Sequence, residues 1–176
     1  MDTRKKILDT ASRLFYKQGY NSTGINQVIK EAGVAKASLY QYFPSKEDML
    51  YDYLTTTALA TNQTLKQVAD KYTDAKEKVL ALFDFLVDFS EATEYNGCNF
   101  LNVNAELPQD NGRVSAFIKN QKDQVIALFR DILKTIGKQD LAPDIYVLFD
   151  GAMIATKVYK SNWPIDAAKR TVIKLI

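Results

Sequence analysis

The sequence predicts an all-α protein in two parts: a three-helix helix-turn-helix head over residues 1–46 and a helical-bundle body over residues 47–176. Three observations predict it. Apolar residues recur at helical spacing along the whole chain, and strand signals are nearly absent. Gly19, Gly33 and Pro44 punctuate the N-terminal part at intervals that leave two helices and a short third. The segment Val79–Phe89 is apolar almost all round, which suits a helix in the middle of a bundle.

The elements follow in order. The first helix runs over Thr3–Gln18, with Ile7, Leu8, Ala11, Leu14 and Phe15 on one face, and Gly19 stops it. Ser22 or Thr23 caps a second helix carrying Ile25, Val28, Ile29 and Ala32, which Gly33 ends. The third helix is about Lys36–Tyr42; Leu39 and Phe43 turn back to a small core, and Lys36, Ala37, Tyr40 and Gln41 face outward. Pro44 forbids continuation, and Ser45 with Asp48 starts a fourth helix reaching about Tyr72, a span on the order of 40 Å. After the apolar fifth helix, a polar break at residues 94–97 precedes a short helix from Cys98 to Leu107. A long apolar stripe runs from Val114 to Ile136, and two more helices cover about 143–160 and 164–176, Pro164 opening the last.

Composition narrows the function. Residues 1–46 carry eight Lys and Arg against Asp2, Asp9 and Glu31, a net of +5, while the remainder carries −3. A basic head on a mildly acidic body suits a polyanion at one end, although clustering of solvated lysines gives the same balance. The chain has no histidine, no paired cysteines, no glycine-rich phosphate loop and no nucleophile elbow. Those absences speak against an enzyme and imply no cofactor and no metal. A lone Cys98, no apolar signal core and no run of 18 apolar residues predict a cytoplasmic protein with no membrane partner.

The head holds the chemistry of DNA recognition. Lysines neutralise phosphates, and Tyr and Ser hydroxyls hydrogen-bond phosphate oxygens. Ser22, Thr23, Ser38, Tyr40, Tyr42 and Lys46 are the candidates for that work. Gln41 and Lys36 have the groups that read adenine and guanine edges. Seven residues span roughly 10 Å, which enters a major groove roughly 12 Å wide. The alternative is a packed three-helix head with solvated lysines.

The order Gly19-Tyr20, Thr23, Ile25, Val28, Ala32-Gly33-Val34, Ser38-Leu39-Tyr40, Tyr42-Phe43, Ser45-Lys46-Glu47 and Leu50 resembles the head of the TetR family of bacterial helix-turn-helix transcriptional regulators. The resemblance covers residues 3–50. It implies phosphate contacts from Tyr40 and Lys46, a cap and backbone contact from Thr23, and a groove-facing surface at Lys36, Ala37, Ser38 and Gln41. Ala35 departs from it, standing where the family often has a capping serine. The implied partners are a palindromic double-stranded DNA operator, a second copy of the chain in a homodimer, and a small-molecule effector; the implied activity is repression.

The body speaks more quietly. Residues 96–107, from Asn96-Gly97-Cys98 to Ala105-Glu106-Leu107, are similar to a Gly-Cys…Ala-Glu segment found beside the effector cavity in a subset of such regulators. Cys98 is either a small buried residue or a thiol that reacts with electrophiles or oxidants. Tyr95, Cys98, Phe100, Asn102, Phe117, Gln121, Phe149 and Met153 are candidates to line an effector cavity, or else ordinary core positions. Tyr146, Phe149, Ala152, Met153, Ala155, Thr156 and Tyr159 make the helix near 143–160, together with the last helix, a candidate two-fold interface. A body that binds a partner protein or coactivator instead of a small ligand is the other reading.

Overall fold

The computed structural model describes residues 2–108 and 112–176, and among these every regular element is helical. The helices are α1 (Thr3–Gln18), α2 (Ile25–Ala32), α3 (Lys36–Tyr42), α4 (Lys46–Ala69), α5 (Ala75–Ala92), α6 (Asn99–Glu106), α7 (Gly112–Lys134), α8 (Ala142–Tyr159) and α9 (Trp163–Leu175). A 3-10 turn, Gln139–Leu141, leads into α8. The chain forms two compact units. The first takes the residues up to Leu59 together with Asn99–Ile118; the second takes Ala60–Cys98 and Lys119–Ile176.

In the first unit, Ile7, Ala11, Leu14 and Phe15 of α1 are buried with Val28, Leu39, Phe43 and Leu54. The spacing of these residues puts one face of each short helix into one small core. Gly33 adopts a left-handed conformation (φ 63°), and its N–H reaches the last carbonyls of α2, so the chain can turn sharply into α3. Ser45 and Asp48 form the expected cap at the start of α4: the Asp48 N–H donates to Ser45 Oγ at 3.1 Å, and Ser45 Oγ donates to Asp48 Oδ2 at 2.7 Å. Hydrogen bonding to Ser45, then to Arg113, holds the Asp48 carboxyl below its usual pKa.

Two expectations about caps fare differently. Ala35 caps α3 with no side-chain bond, as its methyl group requires. Thr23 does not cap α2; Gly24 occupies that position. The Thr23 side chain is fully buried. Its hydroxyl donates to the Gly19 carbonyl at 2.7 Å and accepts from Gln18 Nε2 at 3.2 Å, bracing the turn before α2.

The second unit is built around aromatic residues. Phe149 sits edge-on to both Phe83 and Phe129, each with ring centroids 5.4 Å away. Leu82, Leu86, Leu133, Ile145 and Ile165 complete a buried apolar interior. Lys76 donates to the carbonyls of Ile173 and Ile176, closing the end of α9. The near-continuous apolar run of α5 is buried on one side only: Phe85, Val87 and Phe89 remain partly exposed.

The stripe on α8 also differs from expectation. Phe149, Ala152, Met153 and Thr156 turn into the core of the unit. Val147, Gly151, Ile154 and Val158 form the exposed line instead. Their spacing of four, three and four residues is that of one continuous helix face.

Candidate nucleic-acid interface

The first unit presents α3 to solvent along one side. Leu39 is fully buried, which fixes the roll of the helix and leaves Lys36, Ala37 and Gln41 exposed. Tyr40 and Tyr42 are also exposed, at 43% and 39%, more than packing alone requires of such large rings. Ser38 is half-buried and Ser22 is exposed in the turn before α2.

Lys46, in the first turn of α4, is half-buried with its ammonium 4.2 Å from the centre of the Tyr20 ring. This cation–π contact directs a long, flexible side chain before any ligand arrives. Burial lowers the Lys46 pKa, against the pull of the Glu106 charge. Tyr20 packs edge-on against Phe15, with centroids at 5.2 Å. Burial, then the Glu47 charge, raises its phenol pKa, so the ring stays neutral beneath the ammonium.

Polar contacts hold α1 and α2 together at the surface. Gln18 and Gln27 exchange side-chain amide hydrogen bonds, Gln27 donates to Glu31 at 2.9 Å, and Arg13 pairs with Glu31 at 2.6 Å. Hydrogen bonds from Arg13 and then Gln27 keep the Glu31 pKa low. The arrangement offers phosphates one ordered lysine, exposed tyrosine and serine hydroxyls, and a seven-residue helix whose outer face is small or polar.

Comparison with known proteins agrees with this geometry. The sequence model for bacterial regulatory proteins of the tetR family matches residues 7–53. A crystal structure of a TetR-family transcriptional regulator from Streptomyces coelicolor matches 99% of this chain and 88% of its own, with a TM-score of 0.93 at 25% identity. Residues 7–53 therefore form a TetR-type head. The chain is 26% identical over 188 residues to the Escherichia coli transcriptional repressor NemR, covering 99% of the chain and 94% of NemR. The fold of NemR in its reduced form matches with a TM-score of 0.85 at 24% identity, over 99% of this chain and 97% of that one. The Bacillus subtilis regulator YxaF is 44% identical over 79 residues, or 44% of this chain. The chain spans 41% of YxaF and 37% of LmrA, a second regulator from that organism.

The candidate effector residues divide between the units. Phe100, Asn102 and Phe117 belong to the first, where Phe117 packs edge-on against Tyr51 with centroids at 5.1 Å. Tyr95, Cys98, Gln121, Phe149 and Met153 belong to the second. Gln121 is buried and exchanges amide hydrogen bonds with Asn62, at 3.2 and 2.8 Å. Phe149 and Met153 are core residues, and Tyr95 holds a left-handed backbone (φ 56°) whose carbonyl accepts from Lys160.

Cys98 has company that sequence reasoning missed. Lys122 donates to its Sγ at 3.4 Å and to Asp150 Oδ1 at 2.8 Å, while the Tyr146 hydroxyl donates to Asp150 Oδ2 at 2.6 Å. Burial disfavours the Lys122 ammonium, but the facing Cys98 and Asp150 outweigh it and raise the lysine pKa. Burial, then the bond to Asp150, raises the Tyr146 pKa. One sequence signal did point here: Asp150 interrupts the apolar side of α8 four residues after a tyrosine.

Among the described residues, no helix is long and apolar enough to cross a membrane, and no cluster of His, Cys, Asp or Glu has a metal-binding arrangement.

Proposed function

We propose that the protein is a homodimeric repressor that binds a near-palindromic operator through α3 and leaves it when a small effector binds the body. The observation that carries this reading is the exposed face of α3, flanked by Tyr40, Tyr42 and a pre-oriented Lys46. Lys46, Tyr40, Tyr42 and Ser22 meet phosphates, while Lys36, Ala37, Ser38 and Gln41 face the groove. Thr23 serves from inside by bracing the turn. The exposed line Val147, Gly151, Ile154 and Val158 supports a two-fold contact between copies. Two recognition helices about 34–36 Å apart, or a multiple of that, match successive major grooves. An effector that prefers a different spacing shifts the population off DNA.

The test is operator selection from random-sequence DNA, followed by affinity measurements across salt. Lys46→Ala should weaken binding to every duplex and reduce the salt slope by about 1, and Tyr40→Phe should weaken binding without changing sequence preference. Gln41→Ala should change the selected sequence. Unaltered binding by Lys46→Ala would rule out this docking.

Lys122 favours a second reading of the signal, in which electrophiles or oxidants act at Cys98. An ammonium at 3.4 Å from the sulfur is the electropositive neighbour that reactive cysteines have. N-ethylmaleimide should then release the wild-type protein from its selected duplex and leave Cys98→Ser bound. Equal release of both proteins would return Cys98 to a packing role.

A further inference from the structure

Glu106, the last residue of α6, is remote in sequence from the DNA-facing surface yet is built into it. Its Oε2 accepts the Asn21 backbone N–H at 2.7 Å, and its carbonyl accepts Asn21 Nδ2 at 2.8 Å. Gly19 lies so close that a Cβ there would stand 2.8 Å from Glu106 Oε1. Its φ of +97° is also one that a side chain would resist. Carboxylate and glycine together therefore set the path of the turn between α1 and α2. Tyr20 sits in the middle of that turn and carries Lys46 on its ring. Ser22 follows Asn21 directly. At its other end α6 is tied by Asn99, whose Oδ1 accepts the Tyr53 hydroxyl.

We propose that Glu106 is a positioning residue for DNA binding: it clamps the Gly19–Asn21 turn and so sets the approach of Lys46 and Ser22 to phosphate. The proposal rests on the DNA-binding face described above. The clamp is an acceptor held in place, and the negative charge is incidental to it. A neutral side chain of the same shape therefore does the same work, since a glutamine oxygen also accepts the Asn21 N–H. The clamp also makes α6 part of the DNA-binding surface, so that a shift of this helix displaces the turn.

The experiment uses the full chain and a duplex selected from random-sequence DNA by the wild-type protein, with binding followed by fluorescence anisotropy. Loss of the side-chain acceptor should make Glu106→Ala bind about tenfold more weakly, with Glu106→Gln staying within about twofold of wild type. Asn21→Ala, which removes only the bond to the Glu106 carbonyl, should bind about threefold more weakly. The double variant Asn21→Ala/Glu106→Ala should lose less than the product of the two single losses, because both act through one clamp. Glu106→Ala binding like wild type, or Glu106→Gln falling as far as Glu106→Ala, overturns the proposal. If Glu106→Ala loses its helicity, Asn21→Ala decides: weakened binding by a fully helical protein supports the clamp, and unchanged binding overturns it. Lys46→Ala is the control for the underlying reading. If wild type and Lys46→Ala bind DNA alike, the docking face itself is wrong. If Lys46→Ala weakens and Glu106→Ala does not, the clamp alone is wrong.

Discussion

Replacing Asp150 by asparagine is expected to cost about 3–5 kcal/mol of stability, the usual result of breaking a buried ion pair from one side. The side chains of Lys122 and Asp150 are only 14% and 12% exposed, so water cannot take the place of the lost carboxylate. Asparagine offers one acceptor oxygen where Lys122 and Tyr146 now use two. At roughly 2–4 °C per kcal/mol for a chain of this size, the melting temperature should fall by on the order of 10 °C. Replacing both partners, Lys122→Met with Asp150→Leu, should recover most of the loss, since the unpaired charge disappears with its partner. The sign of the pH dependence follows from the raised Lys122 pKa. Its contribution is complete below the ordinary lysine value and is lost as pH rises through the higher folded value. Urea melts at neutral pH and above pH about 11 measure this directly. A loss below about 0.5 kcal/mol for Asp150→Asn would mean that the pair is solvated.

Phe149→Ala should be comparably damaging, at about 3–5 kcal/mol, because the ring fills a closed space between Phe83 and Phe129. The two edge-on contacts add to the burial term, each worth about 0.5–1.5 kcal/mol in favourable cases. This substitution also separates two roles for the residue. A core ring leaves a dry cavity when truncated, and benzene should then restore part of the melting temperature. A ring lining an open effector site would cost less than about 1 kcal/mol on removal, because little packing would be lost. Calorimetry of the variant with and without benzene distinguishes them.

These two sites also show where the sequence was legible. The head was readable because its signals are local: Gly33 at a left-handed turn, Pro44 as a stop, Ser45 and Asp48 as a cap, and Leu39 setting the roll of α3. Each acts within four residues of its partner. Thr23 was harder, because a hydroxyl suited to a cap is equally suited to a carbonyl behind it, and only the path of the turn decides. On α8 the apolar residues cover more than one face, so periodicity left open which face enters the core. The pairing of Lys122 with Cys98 and Asp150, and of Glu106 with Asn21, depends on packing between distant stretches. Only the spacing of Tyr146 and Asp150 hinted at the first, and nothing local hinted at the second.

The first compact unit draws on two separate stretches of chain, and this bears on how such a chain can be recombined. A graft of residues 1–46 onto a foreign body would carry α3 but leave behind Glu106. It would also leave behind the start of α4, where Asp48 pairs with Arg113 and Tyr51 lies beneath the Arg113 guanidinium at 4.0 Å. A chimaera that keeps the native turn must therefore transplant the stretch after Cys98 as well. The unit of exchange is a pair of segments, and a single cut at residue 46 does not isolate it.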